Sequence, residues 1–385
     1  MAKDYKRLAK QLEDRPWLLY GACGFTGRLI IEECLRLGMR PTLAGRSIAP
    51  LRALAAEYDL PWRMLELENT TLLHQGLENF ALVCNVAGPY TQTAKPLIDA
   101  CLQTHTHYLD FSGELPSIRY AYEQHELALE KDVVLLPACG VESVPTDCLV
   151  SYLVEQFQRE GLPDIRSVEV GVDTLRKKSP GSLLSIIEMS NSPGEVRRDG
   201  EIKREALGAR AKKVRFTHGS KSLVSLPLAD LEVLYRHFEI PDITTYAAQP
   251  ALQSKVLQWA SPFGQALMSN QGMKKNLQNY VKTRVRKPSA RRLKNSRTYI
   301  WVRVKDSLGN EKQAWLETLD GYALIACIAP RSVCDILATR QQGVYTPAQL
   351  LGTEFVLDIP ETVRFSSLKT EDDLAVANVQ EVLEG

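Results

Sequence analysis

Gly21, Gly24 and Gly27 stand in GACGFTG, directly after the apolar run WLLY and directly before RLIIEECLRL. On a strand, a turn and a helix start, this spacing allows a tight turn and lets backbone amides approach a pyrophosphate. The helix start adds unpaired N–H groups and a positive dipole end. Gly21, Cys23, Gly24, Phe25, Thr26 and Gly27 are therefore expected to cradle the phosphates of a dinucleotide. GxxGxxG is a variant of the common fingerprint, and its weight comes from the strand–turn–helix context. A tight turn with no ligand is the plain alternative.

The next apolar run ends in LAGRS, where a dinucleotide site selective for an unphosphorylated ribose carries Asp or Glu. Here Arg46 and Ser47 stand instead. A guanidinium pairs with a 2′-phosphate through parallel hydrogen bonds, so NADP is expected over NAD. Further along, NVAGPY offers small residues at a strand end, and Asn85, Ala87 and Gly88 are expected to lie against the cofactor's ribose and nicotinamide. Hydride transfer asks the protein for orientation and for a group that supplies a proton or stabilises charge. Tyr90, Asp110 and Glu114 are the catalytic candidates, with Ser143 and Asp147 also placed after a strand. Each has a structural alternative: Tyr90 as a packing aromatic, Asp110 as a loop-fixing carboxylate, Glu114 as a favourable charge at a helix start. His105 and His107 have no third ligand nearby, so no metal is expected. No nucleophile elbow or nucleic-acid module is apparent, and no nucleic-acid partner is expected.

The elements that must position these residues follow from the pattern of apolar runs. Strands are expected at Trp17–Gly21, Thr42–Gly45, Arg63–Leu67, Ala81–Ala87, Tyr108–Phe111 and Val133–Cys139, with helices near 26–38, 48–58, 70–78, 93–104 and 115–130. Six strands with five crossovers make an α/β, doubly wound parallel Rossmann sheet. After Pro145 the rhythm changes, and SVEVGVD, KVRFTHG and SRTYIWVRVKD alternate as strands with one wet face do. The division expected is a cofactor domain at 1–145, an inserted α+β domain at 146–320 and a segment at 321–385 that packs back on the first domain. That last segment reads as a helix, then GVYTPAQLLG, then a short strand in TEFVLDI.

Length and composition are compatible with this division. A chain of 385 residues, 44% apolar and 24% charged, suits two or more globular domains. No apolar run reaches about 18 residues and the charged first residues lack a leader pattern, so a cytoplasmic setting is expected. The eight cysteines show no zinc-type spacing and read as reduced thiols. The net charge of +1 hides an asymmetry: thirteen Lys and Arg but no Asp or Glu fall between Ile243 and Lys305. Within that basic insert, Leu252, Val256, Trp259, Phe263 and Leu267 recur at helical spacing in a pattern running over 249–285. Three readings stand side by side: residues 250–290 on an anionic membrane surface, a cover for a lipid-like or acyl substrate, or a domain or homodimer interface.

The blocks GACGFTG, LAGR, NVAGPY, YLDFSGE, CGVESVPTD, SLPLADLEVLYRHFEIPDITTY and GVYTPAQLLG together resemble the saccharopine dehydrogenase-like oxidoreductases, including the trans-acting enoyl reductase group. The resemblance runs through nearly the whole chain. It implies an NADP-binding Rossmann domain, an inserted α+β domain and C-terminal residues returning to the first. The chain departs from the family pattern at Cys23, at Val141, Glu142 and Thr146, and near Leu183 and Leu184. The expectation that results is an NADPH-dependent reductase of a C=C, C=O or imine bond in a small molecule. A polar amino-acid-type substrate is a second reading, and a non-catalytic NADP-binding or membrane-surface scaffold is the third.

Overall fold

The structure, a computed structural model, describes residues 3–174, 194–248 and 296–368, with isolated positions between 272 and 295. Among these, the first sheet is built from β1 (Trp17–Tyr20), β2 (Thr42–Gly45), β3 (Trp62–Met64), β4 (Leu82–Asn85), β5 (His107–Asp110) and β6 (Val134–Leu136). All are parallel, in the order β6-β5-β4-β1-β2-β3. Strands buried on both faces explain the near-continuous apolar runs, since helices cover each side. Leu19, Cys84, Leu109 and Leu136 join one core, while Leu18, Val83, Tyr108 and Leu135 join the other.

Order reverses between β1 and β4, and at that switch point the carboxyl ends of the strands leave a crevice. The register there is level: Tyr20 lies beside Ala44 and Asn85, and Asn85 beside Asp110. A seventh strand, Gly343–Val344, pairs in parallel with Val134 and Leu135. Two residues of strand are too few for any periodicity to reveal. The helix Gly321–Ala338 that precedes it packs on the helix Phe25–Arg36, where the buried Arg331 guanidinium lies 2.8 Å from Glu33 Oε1.

The second sheet has nine described strands, and its central path runs Ala211–Phe216, Gly219–Ser225, Asp242–Ala248, Ile165–Thr174, Arg297–Asp306, Glu311–Leu319, Val363–Phe365. Strands Gly194–Arg198 and Glu201–Glu205 form a hairpin at its side. Val168, Val170 and Val172 share a core with the first sheet, and the neighbouring strands Arg297–Asp306 and Glu311–Leu319 pack on the helix Val144–Arg159. The opposite face rolls inward. The Trp315 indole donates to the Arg215 carbonyl at 2.8 Å, joining the first strand of the path to the sixth, and Val214, Phe216, Leu223, Tyr246 and Trp301 fill the space enclosed.

Two local readings differ from the sequence pattern. TEFVLDI contains the 3-10 turn Phe355–Asp358 rather than a strand, because Phe355, Val356 and Ile359 are buried together at helical spacing. The expected helix over 115–130 divides at Gln124 into Leu115–Glu123 and His125–Glu130. The amphipathic pattern over 249–285 and the departure at Leu183 and Leu184 lie outside the described residues.

Candidate active site at the carboxyl edge of the first sheet

The glycine turn closes directly after β1. Gly21 takes φ +89°, a conformation that L side chains avoid, and a Cβ there would lie 2.9 Å from the Ala87 amide nitrogen. The loops after β1 and β4 therefore touch. Gly27 meets its constraint on the other side: a Cβ would fall 2.5 Å from the Ala22 carbonyl oxygen, so only glycine lets the helix Phe25–Arg36 sit this close to the turn. The Gly24 amide donates to the Gly21 carbonyl at 2.9 Å. That leaves the amides of Phe25, Thr26 and Gly27 without intrahelical acceptors, as at any helix start. The first turn carries no acidic residue to compete with a phosphate. Free amides without a nearby acid suit an anion by charge and by donors.

Arg46 is exposed at the end of β2 and has no ion-pair partner among the described residues. Its charge reaches the strand ends: burial pushes the Tyr20 phenol up to about 12, and Arg46 opposes that rise. Ser47 precedes the helix Ile48–Tyr58 without using its hydroxyl as a cap. Both side chains are exposed at the carboxyl end of β2.

Beyond β4 the polar groups are turned on one another. Asn85 is fully buried; its Oδ1 accepts from the Ala87 amide at 3.0 Å, and its Nδ2 donates to Thr93 Oγ1 at 3.2 Å and the Tyr108 hydroxyl at 3.1 Å. Thr93 donates to the Ala87 carbonyl at 2.6 Å. Both backbone groups of Ala87 are thus held by side chains, while Gly88 is exposed. Tyr108 donates to Asp110 Oδ2 at 2.8 Å, and Asp110 Oδ1 accepts from the amides of Ser112 and Ala138 at 3.0 and 2.9 Å. Burial pushes Asp110 up to about 6, against these hydrogen bonds. Glu114 accepts from the amides of Tyr90 and Thr91 at 3.0 and 2.8 Å, one on each oxygen. It fixes the start of the helix Tyr90–Gln103, not that of its own helix. Tyr90 packs against both cores, and burial pushes its phenol well above the usual range, with the Phe111 backbone amide opposing.

The structure brings Tyr90, Asp110 and Glu114 to one strand edge, and Asp110 and Glu114 are bound to backbone amides there. Sequence reasoning did not find the amides of Ser112 and Ala138 as partners of Asp110, or those of Tyr90 and Thr91 as partners of Glu114, because backbone amides leave no mark in side-chain spacing. Across the crevice, Phe25 meets Tyr322 edge to face, with ring centroids 5.1 Å apart. Ser143 and Asp147 belong to the helix region Val144–Arg159; Asp147 pairs with His237 and is buried away from the turn. His105 and His107 each hold the chain locally: the His105 ring lies 2.7 Å from the Lys131 carbonyl, and His107 Nδ1 accepts from the Val134 amide at 3.0 Å.

A doubly wound sheet with this glycine turn, joined through one core to a rolled second sheet, defines a two-sheet dinucleotide-binding protein. Residues 17–134 match the family described as the saccharopine dehydrogenase NADP binding domain. Among curated proteins, a Mycobacterium tuberculosis protein named trans-acting enoyl reductase is 29% identical over 194 residues, 47% of this chain and 46% of the relative. One of the same name from Mycobacterium ulcerans is 28% identical over 181 residues, 44% of this chain and 43% of the relative. The chain thus spans about half the length of the curated relatives it matches. The apo saccharopine dehydrogenase (L-Glu forming) of Saccharomyces cerevisiae superposes with a TM-score of 0.61 over 89% of this chain and 96% of that one. At 13% identity that likeness is one of fold. The match over residues 17–134 is to an NADP-binding domain, and the cofactor it supports is NADP.

Proposed function

We propose that the chain is an NADPH-dependent reductase acting on a C=C, C=O or imine bond of a small molecule with acyl or lipid-like character. The observation that carries this reading is the crevice itself: an anion cradle at Phe25–Gly27 and an exposed cation at Arg46 on one side, and strand ends leading to the second sheet on the other. NADPH bound there would supply a hydride; the chain's own part is to hold the phosphates, shape the loop at Ala87 and Gly88, and keep Tyr90 beside it. Relatives named enoyl reductases support an activated C=C bond as the acceptor.

The composition of the basic segment, with thirteen Lys and Arg and no Asp or Glu between Ile243 and Lys305, supports a substrate with negative charge. The second sheet ends at Ala248 on one strand and resumes at Arg297 on another. Arg297 pairs with Leu319, and the chain then enters Gly321, where a Cβ would lie 3.2 Å from Val141 at the crevice. Residues 250–290 lie in sequence between those two strands, and their cations suit an acyl carrier or an anionic lipid surface. A cytoplasmic setting agrees with the eight free thiols. Calorimetry with NADPH is expected to give roughly micromolar affinity. A panel of trans-2-enoyl thioesters and amino-acid substrates then decides the class: oxidation of NADPH by thioesters supports the proposal, and oxidation only by amino acids overturns its substrate. Tight NADPH binding without oxidation by any panel member favours a non-catalytic scaffold. Flotation with anionic vesicles, with and without charge-reversed Lys274, Lys275, Arg284 and Arg286, reads the membrane use of the same segment.

A further inference from the structure

A polar recess of about 250 Å³ opens on the second sheet, with Ser167 in its floor. Ser167 stands on the strand Ile165–Thr174, between Asp242 of one neighbouring strand and Lys305 of the other. The next row on this face reads Thr244, Glu169, Arg303. Val168 and Val170 point the other way, into the core shared with the first sheet. The crevice lies toward the far end of these strands, where Thr174 pairs with Thr298 and Arg297 with Leu319. At about 3.3 Å per residue, the recess is roughly 20 Å from that end.

Both acids of the recess are already engaged. Glu169 Oε1 accepts from the Tyr246 hydroxyl at 3.2 Å, and its Oε2 accepts from Lys212 Nζ and Arg303 Nε, each at 2.6 Å. Burial works to raise the Glu169 carboxyl, but those two cations outweigh it and hold it below the usual range. Asp242 Oδ1 accepts from the Asp199 amide at 2.9 Å, and its Oδ2 lies 3.3 Å from Arg166 Nε.

The donors are not used up in the same way. Arg198 is half-buried and meets only neutral acceptors among the described residues: the Thr244 hydroxyl at 2.6 Å, the Arg197 carbonyl at 2.8 Å and the Ile243 carbonyl at 3.5 Å. A guanidinium has five N–H groups, and the Nε–H is among those left over. A half-buried charge without a counter-ion carries a desolvation cost that an anionic ligand offsets. Lys305 lies 2.8 Å from Glu311, which takes one of its three N–H groups.

What stays open in the recess is therefore donors and positive charge. Arg198 is held at Thr244, and Lys305 stands two strands away, roughly 10 Å at the backbone. One acetate or phosphate reaches one of them; a molecule with an acid at each end reaches both. The volume lies below the roughly 300–1,000 Å³ of sites for drug-sized ligands, so the molecule is small. A planar carboxylate also matches the paired N–H groups of a guanidinium.

We propose that this recess binds a small dicarboxylic acid of about five carbons, with one carboxylate on Arg198 and the other on Lys305 across Ser167. The site is independent of the reductase reading, because no residue of the crevice takes part in it.

Calorimetry of the full chain with glutarate tests the proposal. Saturable binding of one glutarate per chain is expected, with acetate ~10-fold weaker or more because it meets one cation only. Arg198→Ala is expected to weaken glutarate ~10-fold or more and to leave NADPH affinity unchanged. Lys305→Ala should bring glutarate down toward the affinity of acetate. Should Arg198→Ala fail to fold, Arg198→Lys gives the same reading: it keeps the charge, loses the paired donors and binds glutarate more weakly. Glutarate that does not saturate, or that binds the Arg198 variants as tightly as the wild type, overturns the proposal. Acetate or inorganic phosphate binding as tightly as glutarate contradicts the two-ended ligand and leaves an adventitious ion only.

Discussion

At the phosphate end of the crevice the amides of Phe25, Thr26 and Gly27, the Arg46 guanidinium and the Ser47 hydroxyl are left for a ligand. At the other end Asn85, Tyr108, Asp110 and Glu114 commit their oxygens and nitrogens to the protein itself. The first arrangement costs little at Arg46 and Ser47, which are exposed and hydrated, and at the helix start it leaves the donors that any first turn leaves. The second is buried, where an unpaired polar atom costs roughly 1–3 kcal/mol, so every member has to be satisfied within the fold. The contrast separates two kinds of polar residue in one crevice: those with no partner in the described fold, and those that hold its surface in shape.

Changes at the two ends are expected to differ in kind. Gly27→Val should have the largest effect, because its side chain enters the space of the Ala22 carbonyl. NADPH affinity is expected to fall at least ~100-fold, about 2.7 kcal/mol, read by calorimetry. Affinity near wild type would mean that the turn does not hold the phosphates. Glu114→Gln tests the held end: one backbone amide at the start of Tyr90–Gln103 loses its acceptor, and urea unfolding should show a loss of about 1–3 kcal/mol. NADPH affinity should fall far less than stability suggests; the reverse pattern would make Glu114 a ligand-binding group. Arg46→Ala should cost NADPH ~10-fold or more and leave NADH unchanged, since a charged hydrogen bond contributes about 1.5–3 kcal/mol. Parallel losses for both cofactors would remove Arg46 from the 2′-phosphate.

The smallest expected effect is a pH dependence. The folded value of Asp110, about 6, lies above the unfolded carboxylate value. The folded state therefore binds more protons between roughly pH 4 and 6, so Asp110 penalises stability above pH 6 and the penalty fades as pH falls toward 4. Asp110→Asn should remove that slope, about 1 kcal/mol per pH unit in the wild-type minus variant difference. Equal slopes in both proteins would mean that Asp110 titrates normally.

The sequence made the binding end legible and the held end only partly so. The strands of the first sheet fall within a few residues of their expected places because buried parallel strands are written as apolar runs. GACGFTG announces its turn because glycine alone fits at Gly21 and Gly27. Asp110 and Glu114 were visible as acids at a strand end, but their partners are amides of Ala138, Ser112, Tyr90 and Thr91, which any residue type supplies. In the second sheet, Asp242–Ala248 escaped notice because its middle is buried on both faces, and Glu311–Leu319 because its buried row includes Thr318 while its other row carries Trp315 and Leu319, so apolar residue types do not alternate.

Titration of the wild-type chain with NADPH and with NADH, under one set of conditions, tests the central claim most directly. The open amides at Phe25–Gly27 with Arg46 beside them predict that both bind and that NADPH binds about 10-fold more tightly or better. Equal affinities, or a preference for NADH, would contradict the assignment of this end of the crevice to a 2′-phosphorylated dinucleotide.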